Sequence, residues 1–150
     1  FNVNASLIKS QLTMSDAEFD SRTLAARDGE KIERKRDLQG QAPFLINFGL
    51  DYNNSELGLQ TGLFFNVQGE TLEVVGVGLV PDVYTKSFES LNFTLNKSFG
   101  EMKQSNINFK VSNILGSSRE SAYQSYKAQD QTFSVRLPGT EFSLGYTYKF

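Results

Sequence analysis

Residues 141–150 have the sequence EFSLGYTYKF, in which all five even positions are apolar and the odd positions are small, polar or charged. Strict alternation is typical of a β-strand with one apolar face, because successive side chains of a strand point to opposite sides. The same alternation occurs in FLINFGLDY (44–52), LNFTL (91–95) and INFKV (107–111). Thirteen Phe and six Tyr, alongside many Asn and Ser, also favour strands. The sequence therefore predicts an all-β, antiparallel fold.

The period-two pattern predicts six strands whose connections alternate in length. The short connections lie at about 53–56 and 98–105, and the long ones at about 15–41, 68–87 and 115–138. An up-and-down meander with short turns at one rim and long loops at the other is typical of a transmembrane β-barrel of the outer membrane. The strands are expected at about 1–14, 43–53, 57–67, 88–97, 106–114 and 140–150.

Composition and charge exclude several classes of function. The chain has 150 residues, about one domain's worth, and a net charge of −2, which argues against a nucleic-acid partner. It contains no Cys and no His, which removes cysteine nucleophiles, thiolate metal sites and a Ser-His-Asp triad. The longest apolar run, 74–80, is too short for a transmembrane helix. We predict no enzymatic activity, no catalytic residue, no cofactor and no metal site.

The first long loop is rich in charges of both signs between Asp16 and Asp37. Its centre, DGEKIERKRD (28–37), is compatible with a short helical turn. The functional hypothesis for this loop is a ligand gate or a partner contact, because loops often bear function. The alternative is a solvated surface loop, which is the commoner use of such charges.

Aromatic residues cluster near the rim that has the short turns: Tyr52, Tyr146, Tyr148 and Phe150. Amphipathic rings at this height suit a membrane-interface girdle. The alternative is the rim of a soluble core, because alternation alone does not determine whether the apolar face meets lipid or a core. The sorting of the loops and the final Phe favour lipid. The small polar residues opposite would then face the lumen, with these candidates: Asn47, Gln60, Asn92 and Asn108.

Four stretches together resemble one family of membrane proteins. They are LQGQAPFLINFGLDYNN (38–54), GLQTGLFFNVQGETLEVVGVGLVPDVYTKSFESLNFTLNKSFG (58–100), FKVSNIL (109–115) and PGTEFSLGYTYKF (138–150). In order and spacing they resemble the carboxy-terminal part of TonB-dependent outer-membrane receptors, especially those of Bacteroidota. The last stretch resembles the final strand of that family, which alternates and ends in Tyr-x-Phe. The resemblance covers nearly all of the chain.

The resemblance implies a barrel of about 22 strands with a plugged lumen, of which these residues would be the final six. The amino-terminal plug domain and about 16 strands would be absent from the 150 residues. The short turns would be periplasmic and the long loops extracellular. The resemblance further implies that Tyr146, Tyr148 and Phe150 form a carboxy-terminal signal for the barrel-assembly machinery.

The implied function is active import of a nutrient, such as a siderophore, a glycan or a peptide, across the bacterial outer membrane. The implied partners are outer-membrane lipid, the remainder of the barrel and its plug, TonB through that plug, and the barrel-assembly machinery. A surface lipoprotein is a further partner that the resemblance allows. Energy coupling belongs to the plug and is assigned to no residue of this chain.

Six strands are too few for a closed membrane barrel, since the smallest single-chain barrels have eight. An open edge in lipid leaves backbone groups without partners. We therefore expect a fragment of a larger chain, or closure against another chain. One alternative function is a barrel client or a receptor-like structural subunit on an outer-membrane assembly or secretion machine. Another is a soluble six-stranded ligand-binding barrel with its apolar face inward.

Overall fold

The computed structural model describes all 150 residues and contains twelve strands and one helix. In chain order the elements are β1 (Asn2–Leu7), β2 (Gln11–Thr13), α1 (Asp16–Ala25), β3 (Lys35–Asp37), β4 (Phe44–Asn54), β5 (Leu59–Gln68), β6 (Thr71–Val74), β7 (Asp82–Thr85), β8 (Phe88–Phe99), β9 (Ser105–Ser112), β10 (Arg119–Gln124), β11 (Gln131–Arg136) and β12 (Glu141–Tyr148). All strand pairs are antiparallel. The predicted antiparallel β fold is thus confirmed.

The largest sheet is a six-stranded meander in the order β1-β4-β5-β8-β9-β12. Two of its hairpins close through short turns, where Asn54 pairs with Leu59 and Phe99 pairs with Ser105. The outer strands β1 and β12 each have only one neighbour, so the sheet is open. These six strands overlap the six segments of alternating sequence.

One face of this sheet is apolar across its width. Leu50 lies beside Leu63, Leu63 beside Phe93, Phe93 beside Val111, and Val111 beside Phe142. Such cross-strand neighbours on one face are the contacts that stabilise a sheet. The adjacent row toward the short turns contains Tyr52, Thr61, Leu95, Phe109 and Leu144. We call this surface the apolar face.

The opposite face is mainly polar, and we call it the polar face. One of its rows contains Asp51, Gly62, Thr94, Lys110 and Ser143. Phe64 is an aromatic exception, and its ring lies over Gly62. The two faces follow directly from the alternation of the sequence, because a strand side chain and its neighbour in the chain point to opposite sides.

The three long connections are not loops throughout, which corrects the prediction for 15–41, 68–87 and 115–138. Each long connection contains two short strands that pair with each other and extend the hairpin beyond a short break. These pairs are β2–β3, β6–β7 and β10–β11. The second and third extensions join through β7 and β10 into a four-stranded sheet, β11-β10-β7-β6. These strands are only four to six residues long, and β6 and β7, at four residues each, are too short for alternation to identify them in the sequence.

The first predicted strand, 1–14, is divided in the structure. Ile8 N–H donates to the carbonyl of Pro43, and the main-sheet pairing of this hairpin ends there. Proline has no N–H to return a second bond, so the ladder stops. The chain then re-pairs as β2 with β3, where Leu12 lies opposite Arg36.

The helix lies before the segment in which a helical turn was expected. It covers Asp16–Ala25, whereas residues 28–37 contain no helix. Ser15 is its N-cap, and its Oγ accepts from the backbone N–H of Glu18 at 3.2 Å. Ser15 and Glu18 have the spacing of a capping box, which is the sequence signal for this helix start.

The buried apolar core lies mainly in the extensions. Leu72 and Val83 are each only 1% exposed, and they belong to β6 and β7. Of the six buried apolar side chains, only Val111 belongs to the six-stranded sheet. The extensions therefore form a compact cap at one end of a sheet whose apolar face is exposed along β4 and β12.

Candidate functional site

The predicted lumen-facing residues all lie on the polar face. Gln60 and Asn108 occupy one row, separated by Asn96, while Asn47 and Asn92 lie in other rows. Asn92 has an additional contact, because its Oδ1 accepts from the backbone N–H of Asn113 at 3.1 Å. The structure thus places the four residues on one surface but does not gather them into one site.

The predicted carboxy-terminal signal residues lie at the short-turn rim. The hydroxyl of Tyr146 is 3.1 Å from Oγ of Ser105 on the neighbouring strand. The rings of Tyr148 and Phe150 meet edge to face, with 5.2 Å between their centroids. β12 ends at Tyr148, yet Lys149 N–H still donates to the carbonyl of Gln104 at 2.9 Å. All three aromatic side chains are exposed.

One concave site lies between the polar face and the β10–β11 hairpin, and we call it the junction cavity. Its volume is about 490 Å³. Ser90 and Asn92 of β8 and Ser112 of β9 line it from the polar face. Arg119 and Arg136 line it from the two strands of the hairpin.

The two arginines of the junction cavity stand directly opposite each other in the β10–β11 register. The guanidinium carbon of Arg119 lies 4.6 Å from the centre of the Phe88 ring, a cation–π contact. Neither guanidinium has a carboxylate within 4.0 Å. The cavity therefore has two cationic groups on one wall, while its exposed lining is mainly apolar and includes Phe88, Leu137 and Pro138.

A carboxylate, Glu73, lies within the β6–β7–β10 part of the cap. Oε2 of Glu73 accepts hydrogen bonds from the hydroxyls of Ser121 and Thr85, the latter at 2.8 Å. These two hydrogen bonds hold the pKa of Glu73 below its usual value, and the charge of Arg136 acts in the same direction. Glu73 is thus a stabilised anion in the folded cap.

A second cluster of charges connects two parts of the cap, the helix α1 and the strand β7. Arg22 of α1 donates to both carboxylate oxygens of Asp82 in β7, at 2.9 and 2.7 Å. The hydrogen bond to Asp82 raises the pKa of Arg22. Burial of Tyr84, on the same strand, raises its pKa to about 12. Arg22 and Asp82 also line a separate cavity of about 260 Å³ between the helix and the turn before β7.

Sequence reasoning missed Arg119 and Arg136, because residues 115–138 were assigned to a loop. The signal was the alternation in QTFSVR (131–136), which places Phe133 and Val135 on one side and Ser134 and Arg136 on the other. Six residues of such alternation bounded by turns suffice to suggest a strand. Only pairing with β10 brings Arg136 beside Arg119.

The chain has no group of three or more Asp and Glu side chains placed to hold a metal ion. No helix in the structure combines the length and hydrophobicity needed to span a membrane. Comparisons with protein-family models, with curated proteins and with solved structures find no match to this chain.

Proposed function

We propose that this chain is the carboxy-terminal section of the barrel wall of a TonB-dependent transporter in the bacterial outer membrane. The transporter would import a nutrient, such as a siderophore, a glycan or a peptide, by active uptake. In this proposal the six-stranded sheet crosses the membrane, the apolar face contacts lipid and the polar face contacts the lumen. The strand extensions then form the extracellular rim.

The observation that carries the proposal is the uncovered apolar face. Phe142 is 68% exposed and Leu144 is 76% exposed, although both lie in a row of apolar neighbours. A contiguous apolar patch of this kind marks a surface that meets a partner or a membrane. An outward apolar band with a polar interior is the pattern of outer-membrane barrels.

The lengths of the three longest strands, β4, β5 and β8, support the same proposal. β4 has 11 residues and β8 has 12. At about 3.3 Å per residue and a tilt of about 40°, such strands span roughly 28–30 Å, close to the apolar band of about 25 Å in outer-membrane barrels. The cap begins where these strands end. Tyr52, Tyr146 and Tyr148 lie at the other rim, as expected of an interfacial girdle.

The position of the cap also favours lipid as the covering of the apolar face. Arg119 contacts Phe88, and Asn113 contacts Asn92, and both contacts reach the polar side of β8. The β10–β11 extension therefore lies on the polar side of β8 at this point, rather than on its apolar side. The free edges of β1 and β12 would pair with further strands of the barrel, because open edges are not tolerated in lipid.

The lipid contact is tested with single cysteines, since the chain has none of its own. Leu144→Cys and Ser143→Cys place a probe on neighbouring residues of β12 that point to opposite faces. With a polarity-sensitive fluorophore in vesicles of brominated lipid, we expect strong quenching at position 144 and little at position 143. Equal quenching at the two positions, or none, contradicts the membrane assignment.

The transporter assignment is tested by the mass of the native polypeptide purified from outer membranes in detergent. We expect a mass several times 16.8 kDa, with a plug domain in the same chain. A native mass near 16.8 kDa contradicts this assignment and favours a client or subunit that closes against another chain.

A further inference from the structure

We propose that the junction cavity binds an oxyanion, a carboxylate or phosphate group of the transported ligand, through Arg119 and Arg136. The placement of the cavity on the ligand's route rests on the proposed function. The binding chemistry itself rests only on the two arginines and on the polar wall opposite them.

The register of the hairpin places the two arginines side by side on neighbouring strands. Arg119 and Arg136 are direct partners across an antiparallel pair, a position in which side chains lie about 5 Å apart at Cβ. Like charges at such positions destabilise a sheet. A bound anion would offset this repulsion. The contact of Arg119 with Phe88, at 4.6 Å, orients one of the two groups over the cavity wall.

The charged groups around the cavity leave the two arginines without an ion-pair partner. Glu120, which follows Arg119, pairs with Lys86 at 3.5 Å. Glu73 is held by Ser121 and Thr85, and Arg136 influences it only through its charge. Glu141 lies beside Ser112 in the sheet but does not line the cavity. Neither arginine therefore forms a direct ion pair, although Arg136 interacts through its charge with Glu73.

The opposite wall of the cavity provides groups suited to the rest of an anionic ligand. The hydroxyls of Ser90 and Ser112 and the amide of Asn92 lie there. A guanidinium binds a carboxylate or a phosphate through two parallel hydrogen bonds, which a lysine does not provide. A volume of about 490 Å³ accommodates a small polyanion or one anionic arm of a larger ligand.

The test is calorimetric titration of the whole chain in detergent with citrate and, separately, with pyrophosphate. We expect at least one probe to bind the wild type, with an affinity that falls as salt rises. The double variant Arg119→Gln/Arg136→Gln should weaken that binding by about ten- to a hundredfold. Arg119→Lys/Arg136→Lys keeps both charges but removes the planar groups, so it should also weaken binding.

The charge-matched control is Lys9→Gln/Lys35→Gln, which removes two exposed positive charges elsewhere. It should bind like the wild type. Preference for citrate identifies a carboxylate ligand, and preference for pyrophosphate identifies a phosphate ligand. The inference is overturned if neither probe binds at millimolar concentration, or if the Gln variant and the control lose binding equally.

Circular dichroism of each variant establishes that the sheet is intact before titration. The cysteine-quenching experiment is carried out on the same preparation. Absence of anion binding by the wild type, together with lipid contact at position 144, refutes the oxyanion site alone. Absence of lipid contact refutes the proposed function, whatever the titration shows.

Discussion

Arg22 and Asp82 form a two-fold hydrogen bond between segments that are 60 residues apart in the chain. The pair joins α1, in the first extension, to β7, in the second. Asp82 has a further partner, because its Oδ1 accepts from Gly76 N–H at 2.7 Å. One carboxylate thus holds the helix and the turn before β7 against the same strand.

The Arg22–Asp82 pair should contribute measurably to the stability of the cap. Its side chains are only 21% and 14% exposed, which places it between surface and buried ion pairs. A double-mutant cycle with Arg22→Ala and Asp82→Ala should give a coupling free energy of about 1–3 kcal/mol by chemical denaturation. Asp82→Ala should cost more than Arg22→Ala, because it also removes the acceptor of Gly76 N–H.

The matched control is the pair of Arg34 and Asp16. Its Nη1 and Oδ1 atoms lie 2.6 Å apart, but its side chains are 56% and 83% exposed. Their cycle should give less than about 1 kcal/mol, because water screens exposed charges. Equal coupling in the two cycles contradicts a special role for the Arg22–Asp82 pair.

The lowered pKa of Glu73 predicts how acid affects the stability of the cap. The pKa of Glu73 is lower in the folded chain than its unfolded pKa of 4.5. Ionised Glu73 therefore stabilises the fold at pH values above 4.5, and this contribution is lost as the pH falls through the lower, folded pKa. The wild-type free energy of unfolding should therefore decline below pH 4.5, and Glu73→Gln should flatten that decline. Thr85→Val, which removes one donor, should flatten it partly. An unchanged slope in Glu73→Gln contradicts the assignment.

The ring of Phe64 occupies the space that a side chain at position 62 would need. A Cβ at position 62 would lie 2.7 Å from that ring and 2.9 Å from Oδ1 of Asp51. Gly62→Ala must displace the ring and should destabilise the sheet by about 1–2 kcal/mol in denaturant titrations. Gly145→Ala is the control, because its Cβ would meet only Asn108, at 3.8 Å. Adding Phe64→Ala to Gly62→Ala should remove most of the added cost, and full additivity would refute the contact.

The side chain of Asn113 forms hydrogen bonds with backbone groups at the base of the β10–β11 hairpin. Its side-chain amide donates to the carbonyls of Ser117 and Gly139, at 3.1 and 2.9 Å, and its Oδ1 accepts from Ser117 N–H. Its φ of 52° lies in the left-handed region that Asn tolerates better than most residues. Asn113→Ala should cost about 2–4 kcal/mol, because a buried residue loses three hydrogen bonds.

Lys127 serves as the control for backbone strain at Asn113, since its φ of 50° is similar and its side chain is exposed. Lys127→Gly should be neutral or stabilise the chain slightly, because glycine adopts this conformation freely. If Asn113→Gly were as mild as Lys127→Gly, the hydrogen bonds of Asn113 would be unimportant.

The sequence by itself determined the meander and its two faces. From Ile46 to Tyr52 and from Phe142 to Tyr148, a strict period of two leaves only one way to place the apolar side chains together. The sequence also contained the helix start, in Ser15 and Glu18, whereas the charged segment 28–37 forms no helix. Local periodicity suffices where strands are long and neighbours in the chain pair directly.

Only the tertiary structure decided what the long connections do. β6, β7, β10 and β11 are four to six residues long, and such segments become strands only when a partner completes their hydrogen bonds. The pairing of β7 with β10 joins two hairpins that are distant in the chain. It is this cap that sets Arg119 and Arg136 against the polar face, because register across strands, rather than spacing along the chain, determines which side chains meet.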